Sequence, residues 1–487
     1  MNSLRVCVVG LDGGTWNVIK PLIGKLPTFK KLIENGVCGE LESTHPFFTS
    51  PAWKSFSTGM NPGKLGAYGW LELKNRKMKV NLSTSFKRKE IWDYLGEKGY
   101  KCVVINMPQT YPPKRINGVM ISGFPGFDSG HYTYPKELKH ELIKKFDYRI
   151  SPKDELLLDK NKVIQEIIDL IKKRFLVAKY LWKIEKPSFL NLTIYYIDKV
   201  QHFFWNRKDI LEKVWKVIDE ELANLHDQIG EESYLFIISD HGFTDLKGMF
   251  RLNMWLRQKE YLHLKSEPFK QNSIFRLLWY LGLRRERIEK LIISLRLYGW
   301  LRKIFSEDTL IRVQHHLLPS ELKVDIAWVV DHLDWGKTKA IMAPENYLYI
   351  NIPKDSAEYD AFREKLIKEI KSIRDPRNDE KIVMDVKKRE DIYYGEFLDL
   401  SPDLILVPNE GYRIYDGLSQ SPWDFSKKPW SGYHKLHGIF IAYGPKIKKR
   451  EKTKVRIYDI ASTILHMFRI PQYRELDGRV LKEIFQS

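Results

Sequence analysis

The chain has 487 residues, 43% hydrophobic and 13% aromatic, which excludes a disordered or fibrous class and exceeds one ordinary domain. Lys and Arg total 81 against 62 Asp and Glu, a net charge of +19; this suits anionic ligands such as phosphates, nucleic acid or an anionic membrane face, or else a solvated lysine-rich surface. The three cysteines, Cys7, Cys38 and Cys102, stand far apart without a CxxC, a pattern that suggests neither a disulfide framework nor a thiolate zinc site and fits a reducing cytoplasm.

The N-terminus enters a strand at residues 4–9, without the charged start and longer apolar region of a signal peptide. No run approaches the roughly 18–20 apolar residues of a spanning helix, so a soluble or peripheral protein is expected. Residues 6–11 read as a buried strand ending at Asp12. Residues 27–35 are helical in pattern, with Pro27 near the start and Gly36 closing. Residues 101–107 form another short buried strand. A long amphipathic helix over 162–186 feeds an apolar run from 189 to 197 that ends at Asp198. A second long helix over 209–229 feeds the run 234–239, which ends at Asp240. This βαβ rhythm predicts an α/β fold with a mostly parallel central sheet and helices on both faces.

After Gly242 the character changes, and 246–330 read as a basic, mainly helical insertion or cap. Strand-like patterns resume from Ala327 at 340–342, 348–350, 403–407 and 438–443, with helices at 357–373 and 457–467. The expected division is a catalytic core built from 1–245 and 331–487 around the 246–330 insertion. There are no internal repeats.

In open α/β sheets ligands bind at the carboxyl ends of the strands, so three strand-ending aspartates are the first candidates for a site. Asp12 stands among Gly10, Gly13 and Gly14; glycines leave room for close approach to a cation, although an Asp-Gly turn has the same composition. Thr49, just before Ser50 and Pro51, would sit at a helix N-terminus, where anions are favoured; either hydroxyl could equally be an N-cap. Asp198 and His202 are spaced i, i+4, so on a helix both face one side and can grip one metal. Asp240 and His241 end a run as apolar as 235–238, and two adjacent polar groups there are costly without a function. His437 directly precedes the strand at 438, with His434 a nearby competitor.

Together these residues resemble the alkaline phosphatase superfamily, most closely its type I phosphodiesterase/nucleotide pyrophosphatase branch and related phosphohydrolases and phosphomutases. The resemblance is carried by the Asp12 motif, Thr49-Ser50-Pro51-Ala52-Trp53 with the following Thr58-Gly59, Asp198-x-x-x-His202, Ser239-Asp240-His241-Gly242, and His437-Gly438 followed by Ala442-x-Gly444-Pro445. It extends to 458–465 and 476–478. It implies an alkaline-phosphatase-like fold and two divalent metal ions, zinc first and manganese or iron next, since mixed oxygen and nitrogen donors suit those metals. It further implies that one ion is held by Asp12, Asp240 and His241 together with the nucleophile Thr49, and the other by Asp198, His202 and His437. Two such ions about 4 Å apart clamp the attacking and leaving oxygens of an in-line displacement. The phosphoryl group would pass to Thr49 and then to water.

Two departures stand out. The family's Thr-Phe-Pro-Asn pattern has Ala52 in the Asn position, so one phosphate-oxygen donor is missing, to be replaced by Lys54 or by a residue of the insertion. Leu65-Gly66 stands where the family often has His-Gly. The stretch 275–305 interleaves Leu and Trp with Arg and Lys in a basic amphipathic pattern that fits peripheral contact with anionic lipid, for instance at an inner membrane face, or a packed helical cap. The expected substrate is a phosphorylated small molecule or a lipid-linked phosphoester. No nucleic-acid-binding module is recognisable. Competing readings are a phosphomonoesterase, phosphomutase or phospho-group transferase of the same fold, and a non-catalytic basic scaffold. A sulfatase is disfavoured, because Thr49 occupies the place of its Cys or Ser.

Overall fold

The computed structural model describes residues 4–152, 160–266, 325–419, 421–426, 430–471 and 473–486. Nine strands form the central sheet: β1 (Val6–Leu11), β2 (Val37–Glu42), β3 (Cys102–Met107), β4 (Gly118–Ser122), β5 (Thr133–Tyr134), β6 (Phe189–Ile194), β7 (Tyr234–Ile238), β8 (His437–Tyr443) and β9 (Glu451–Arg456). Their order is β9-β2-β8-β7-β1-β6-β3-β4-β5. The strands from β7 to β4 run parallel, as do β2 and β9, while β8 and β5 enter antiparallel.

The period-2 geometry of β1 explains its unbroken apolar run. Cys7, Val9 and Leu11 face one core with the helices Lys160–Glu185 and Lys208–Ile229. Val6 and Val8 face the other, with Trp53, Trp92 and Ile464. Helices therefore cover both faces, the expected doubly wound arrangement. Cys7 is a plain core residue, its thiol pushed up to about 12 by burial.

The middle of the chain is organised differently from the expectation. The strands Ala340–Ala343, Tyr347–Ile350, Val383–Lys388 and Leu404–Pro408 do not rejoin the central sheet. They form a separate four-stranded antiparallel sheet, packed with the helix Ala357–Lys371 around a core that also takes Phe250, Leu256 and Leu418. The chain returns to the central sheet at β8, not at 331. An apolar strand pattern does not encode which sheet it enters; here a short connection at Glu345 and Asn346 turns the chain back on itself, and local antiparallel pairing wins. The second unit grips the segment that precedes and follows Thr49. The Tyr393 hydroxyl donates to the His45 carbonyl (2.6 Å), the Tyr347 hydroxyl to the Tyr68 carbonyl (2.6 Å), and the Trp70 amide to Glu345 (2.9 Å). The basic stretch 275–305 lies outside the described residues. Among the described residues no helix is long and apolar enough to cross a membrane.

Candidate active site

The strand order brings β7, β1 and β6 side by side, so their carboxyl ends meet at one edge of the sheet. Asp240 follows β7, Asp12 follows β1 directly, and Asp198 lies in the first turn of the helix α2 (Tyr196–Phe204), which begins just past β6. Before it in the chain, the helix α1 (Thr49–Thr58) presents its N-terminus.

One group of donors is Asp12, Asp240 and His241. His241 Nε2 lies 3.3 Å from Asp240 Oδ2 and 3.8 Å from Asp12 Oδ1. All three atoms are buried and lack a hydrogen-bond partner among the described residues, while the second polar atom of each residue is held. Asp12 Oδ2 accepts from the Trp53 indole (3.2 Å), Asp240 Oδ1 accepts from the Gly13 amide (3.0 Å), and His241 Nδ1 faces the Gly242 carbonyl (3.2 Å). Orphaned buried polar atoms are costly. Two carboxylate oxygens within 3.8 Å of the His241 nitrogen, each donor steadied from behind, fit a cation and its supporting shell. Burial raises the Asp12 and Asp240 carboxyls, and nearby carboxylates add to this; a dication at this point would reverse that balance. Burial pushes His241 down to about 4, which keeps its ring neutral and its lone pair available.

The other group is Asp198, His202 and His434. His434 Nε2 is 3.0 Å from both Asp198 Oδ1 and His202 Nε2, and His202 Nε2 is 3.3 Å from Asp198 Oδ1. Tetrahedral coordination with bonds of about 2.0–2.2 Å sets its ligands about 3.3 Å apart, so this triangle fits a metal closely. His202 Nδ1 points at the Gly432 carbonyl (3.0 Å), the contact that leaves Nε2 free to ligate. Burial pushes Asp198 upward, but the two histidine rings outweigh it and hold the carboxyl well below its ordinary range. Asp198 also lies within 4.8 Å of donor atoms of Asp12 and His241, and the His241 and His434 rings stack at 3.7 Å. The two groups are therefore contiguous.

The third position of the second group belongs to His434, not His437. His434 sits on the strand Gly432–Lys435, which pairs antiparallel with Gly242–Asp245, so Phe243 faces His434 across the ribbon. That ribbon is locked to α2 by the Ser431 amide on the His202 carbonyl (2.6 Å). His437 opens β8 in register with Glu42, half-buried and outside both donor groups. Only Lys435 and Leu436 separate the two histidines, but the chain bends at Leu436 between two strands and sends them to different places.

Thr49 is the first residue of α1, one turn before Trp53 on the same helix face. The Trp53 contact with Asp12 therefore sets Thr49 on the side of α1 that faces the aspartates. Phe48 packs edge-on against the His434 ring (5.3 Å). Lys54 cannot replace the missing asparagine. It is buried against Glu90 (2.8 Å), which also accepts from Ser57 (2.9 Å) and pairs with Lys114 (2.8 Å). Ala52 and Leu65 are core residues. Room at these glycines is taken by neighbouring side chains. A Cβ on Gly10 would lie 2.5 Å from the Trp53 ring, and Gly13, at φ +68°, would meet Phe243 and Gln201.

Sequence reasoning also missed Gln109. It follows β3, the next parallel strand beyond β6, is fully buried, and donates to Ser50 Oγ at 2.9 Å. The strand-end rule that found the aspartates applies to it equally.

The sequence model of the family described as type I phosphodiesterase/nucleotide pyrophosphatase matches residues 6–291. The chain belongs to that family. Among solved structures, murine ectonucleotide pyrophosphatase/phosphodiesterase 5 is 14% identical, with a TM-score of 0.55 over 99% of this chain and 100% of that one. The human protein of the same name is 15% identical, with a TM-score of 0.54 over 99% and 100%. Phosphonoacetate hydrolase from Sinorhizobium meliloti 1021, in complex with phosphonoformate, is 15% identical, with a TM-score of 0.57 over 94% of each chain. These likenesses show a shared alkaline-phosphatase-like fold. No curated protein matches the sequence significantly.

Proposed function

We propose that this family member is a two-metal phosphoester hydrolase of the phosphodiesterase/nucleotide pyrophosphatase type, with Thr49 as nucleophile. The observation that carries the reading is the pair of contiguous donor groups beside the N-terminus of α1. Asp12, Asp240 and His241 would hold one divalent ion, and Asp198, His202 and His434 the other; the nitrogen and oxygen donor set favours zinc, with manganese or iron as alternatives. When bound, the ions supply charge neutralisation of the phosphoryl oxygens and a lowered pKa for the attacking hydroxyl.

The chain's own groups do the rest. Among the described residues no side chain caps α1; Pro51 has no N–H and the Ala52 amide bonds to the Phe48 carbonyl (3.1 Å), so the Thr49 and Ser50 amides would be the first-turn donors for phosphate oxygens. Thr49 Oγ1 bonds to phosphorus as the leaving-group oxygen departs, and water then cleaves the phosphothreonine to regenerate the hydroxyl. Trp53 and Gly13 fix the aspartate rotamers, so the donors need no rearrangement when substrate arrives.

A non-catalytic scaffold has no use for six convergent donors, and a metal analysis of the purified protein separates the two readings. The functional test is hydrolysis of p-nitrophenyl phosphate and bis-p-nitrophenyl phosphate with zinc, manganese or iron. Thr49→Ala should lower turnover roughly 10³-fold or more and leave metal content unchanged; undiminished turnover overturns the assignment.

A further inference from the structure

Next to the donor groups stands an arginine that forms no ion pair among the described residues. Arg413 lies on the strand Tyr412–Tyr415, paired in parallel with Gly248–Arg251 at the base of the second unit. Its guanidinium carbon is 3.7 Å from the centre of the Trp430 ring and 4.7 Å from that of Tyr415. The same Trp430 ring lies 3.9 Å from the ring of His202. Arg413 is thus one aromatic ring away from a candidate metal ligand, and it also touches Tyr433, the neighbour of His434.

Arginines nearby are paired: Arg251 with Asp424 (2.7 Å), Arg377 with Asp375 (2.6 Å). Among the described residues no carboxylate forms an ion pair with Arg413; it meets the Tyr433 hydroxyl and the weak acceptor Met249 Sδ, at 4.0 Å, and acts on the Asp416 carboxylate only through space. A guanidinium stacked on a ring is held planar, while the N–H donors on its edge stay available. Those donors form a fork that matches two oxygens of a phosphate.

We propose that Arg413 binds a negatively charged substrate oxygen that the two donor groups leave unheld. The protein then favours substrates with charge beyond that of a simple diester: a phosphomonoester dianion, or a pyrophosphate whose second phosphate reaches the arginine. This rests on the phosphohydrolase reading above, and it gives the donor missing at Ala52 a source on the second unit instead of on α1.

The test compares the metal-loaded full-length protein with Arg413→Gln and Arg413→Lys on three substrates: bis-p-nitrophenyl phosphate, p-nitrophenyl phosphate and ADP. Arg413→Gln should lower kcat/KM on a dianionic or pyrophosphate substrate at least roughly tenfold more than on the diester, and should weaken the binding of inorganic phosphate measured by calorimetry. Arg413→Lys, which keeps the charge without the fork, should recover part of both. Selective loss on p-nitrophenyl phosphate assigns the arginine to the reacting phosphoryl group, and loss confined to ADP assigns it to the neighbouring phosphate. Equal loss on all three substrates, or unchanged phosphate affinity in Arg413→Gln, overturns the assignment. A wild type that hydrolyses none of the three overturns the phosphohydrolase reading instead, while phosphate calorimetry still judges the arginine.

Discussion

Replacing His434 with alanine removes one corner of a triangle whose donor atoms lie 3.0–3.3 Å apart. Four-ligand zinc sites bind with about 10–16 kcal/mol, so one ligand accounts for about 3 kcal/mol, which is roughly a hundredfold in affinity. His437→Ala makes the same chemical change three residues later, at a half-buried strand start outside both donor groups. It should shift metal affinity by no more than about threefold, as expected of a change remote from the site. Competition of zinc between each variant and a chromophoric chelator measures this directly, and far-UV circular dichroism checks that both variants fold. Loss of one ion in His437→Ala with full retention in His434→Ala would refute the placement of the ribbon Gly432–Lys435 against α2.

Gly10→Ala drives a methyl into the fully buried Trp53 ring at 2.5 Å, and overpacking of this kind costs about 1–3 kcal/mol; a lowered urea midpoint is expected, and an unchanged one would contradict the close approach of α1 to β1. Trp53→Phe keeps most of the ring but removes the indole N–H that holds Asp12 (3.2 Å); metal affinity should fall roughly 10-fold or more, read by the same chelator titration. Glu345 is buried, and burial, together with Glu72 and Asp416, lifts its carboxyl to about 8. Its folded value thus exceeds its unfolded one, so the stability it contributes is full below about pH 4 and is lost as pH rises toward 8, up to about 4 kcal/mol. Glu345→Gln should flatten this part of the stability profile, and urea melts of both proteins at pH 5 and pH 8 measure the difference; identical pH dependence would refute the burial of an uncompensated carboxyl.

The β-strand ends were legible in the sequence because a strand buried on both faces must be apolar throughout, and a carboxylate at its end then has to be explained by something it binds. That argument placed Asp12 and Asp240 at strand ends where the structure has them; the run expected to end at Asp198 stops at Ile194, and Asp198 stands in the first turn of α2, where the i, i+4 spacing joins it to His202. Local chemistry was enough there, since each signal lies within a few residues of the group it positions. The remaining features depend on contacts between distant segments. His434 and His437 are equivalent by composition, and only the pairing of Gly432–Lys435 with Gly242–Asp245 selects one of them. Lys54 looks like a free phosphate donor until Glu90, 36 residues on, takes it. The strands at 340–408 carry the pattern of a core sheet and form another, because period-2 apolarity fixes that a strand is buried but not against what. Arg413, which belongs to none of the motifs, comes beside the donor groups through Trp430 and Tyr433. What the sequence determined by itself was the chemistry available at the sheet edge; which residues converge there was decided by tertiary pairing, since burial and hydrogen bonding across distant segments are what choose among equivalent side chains.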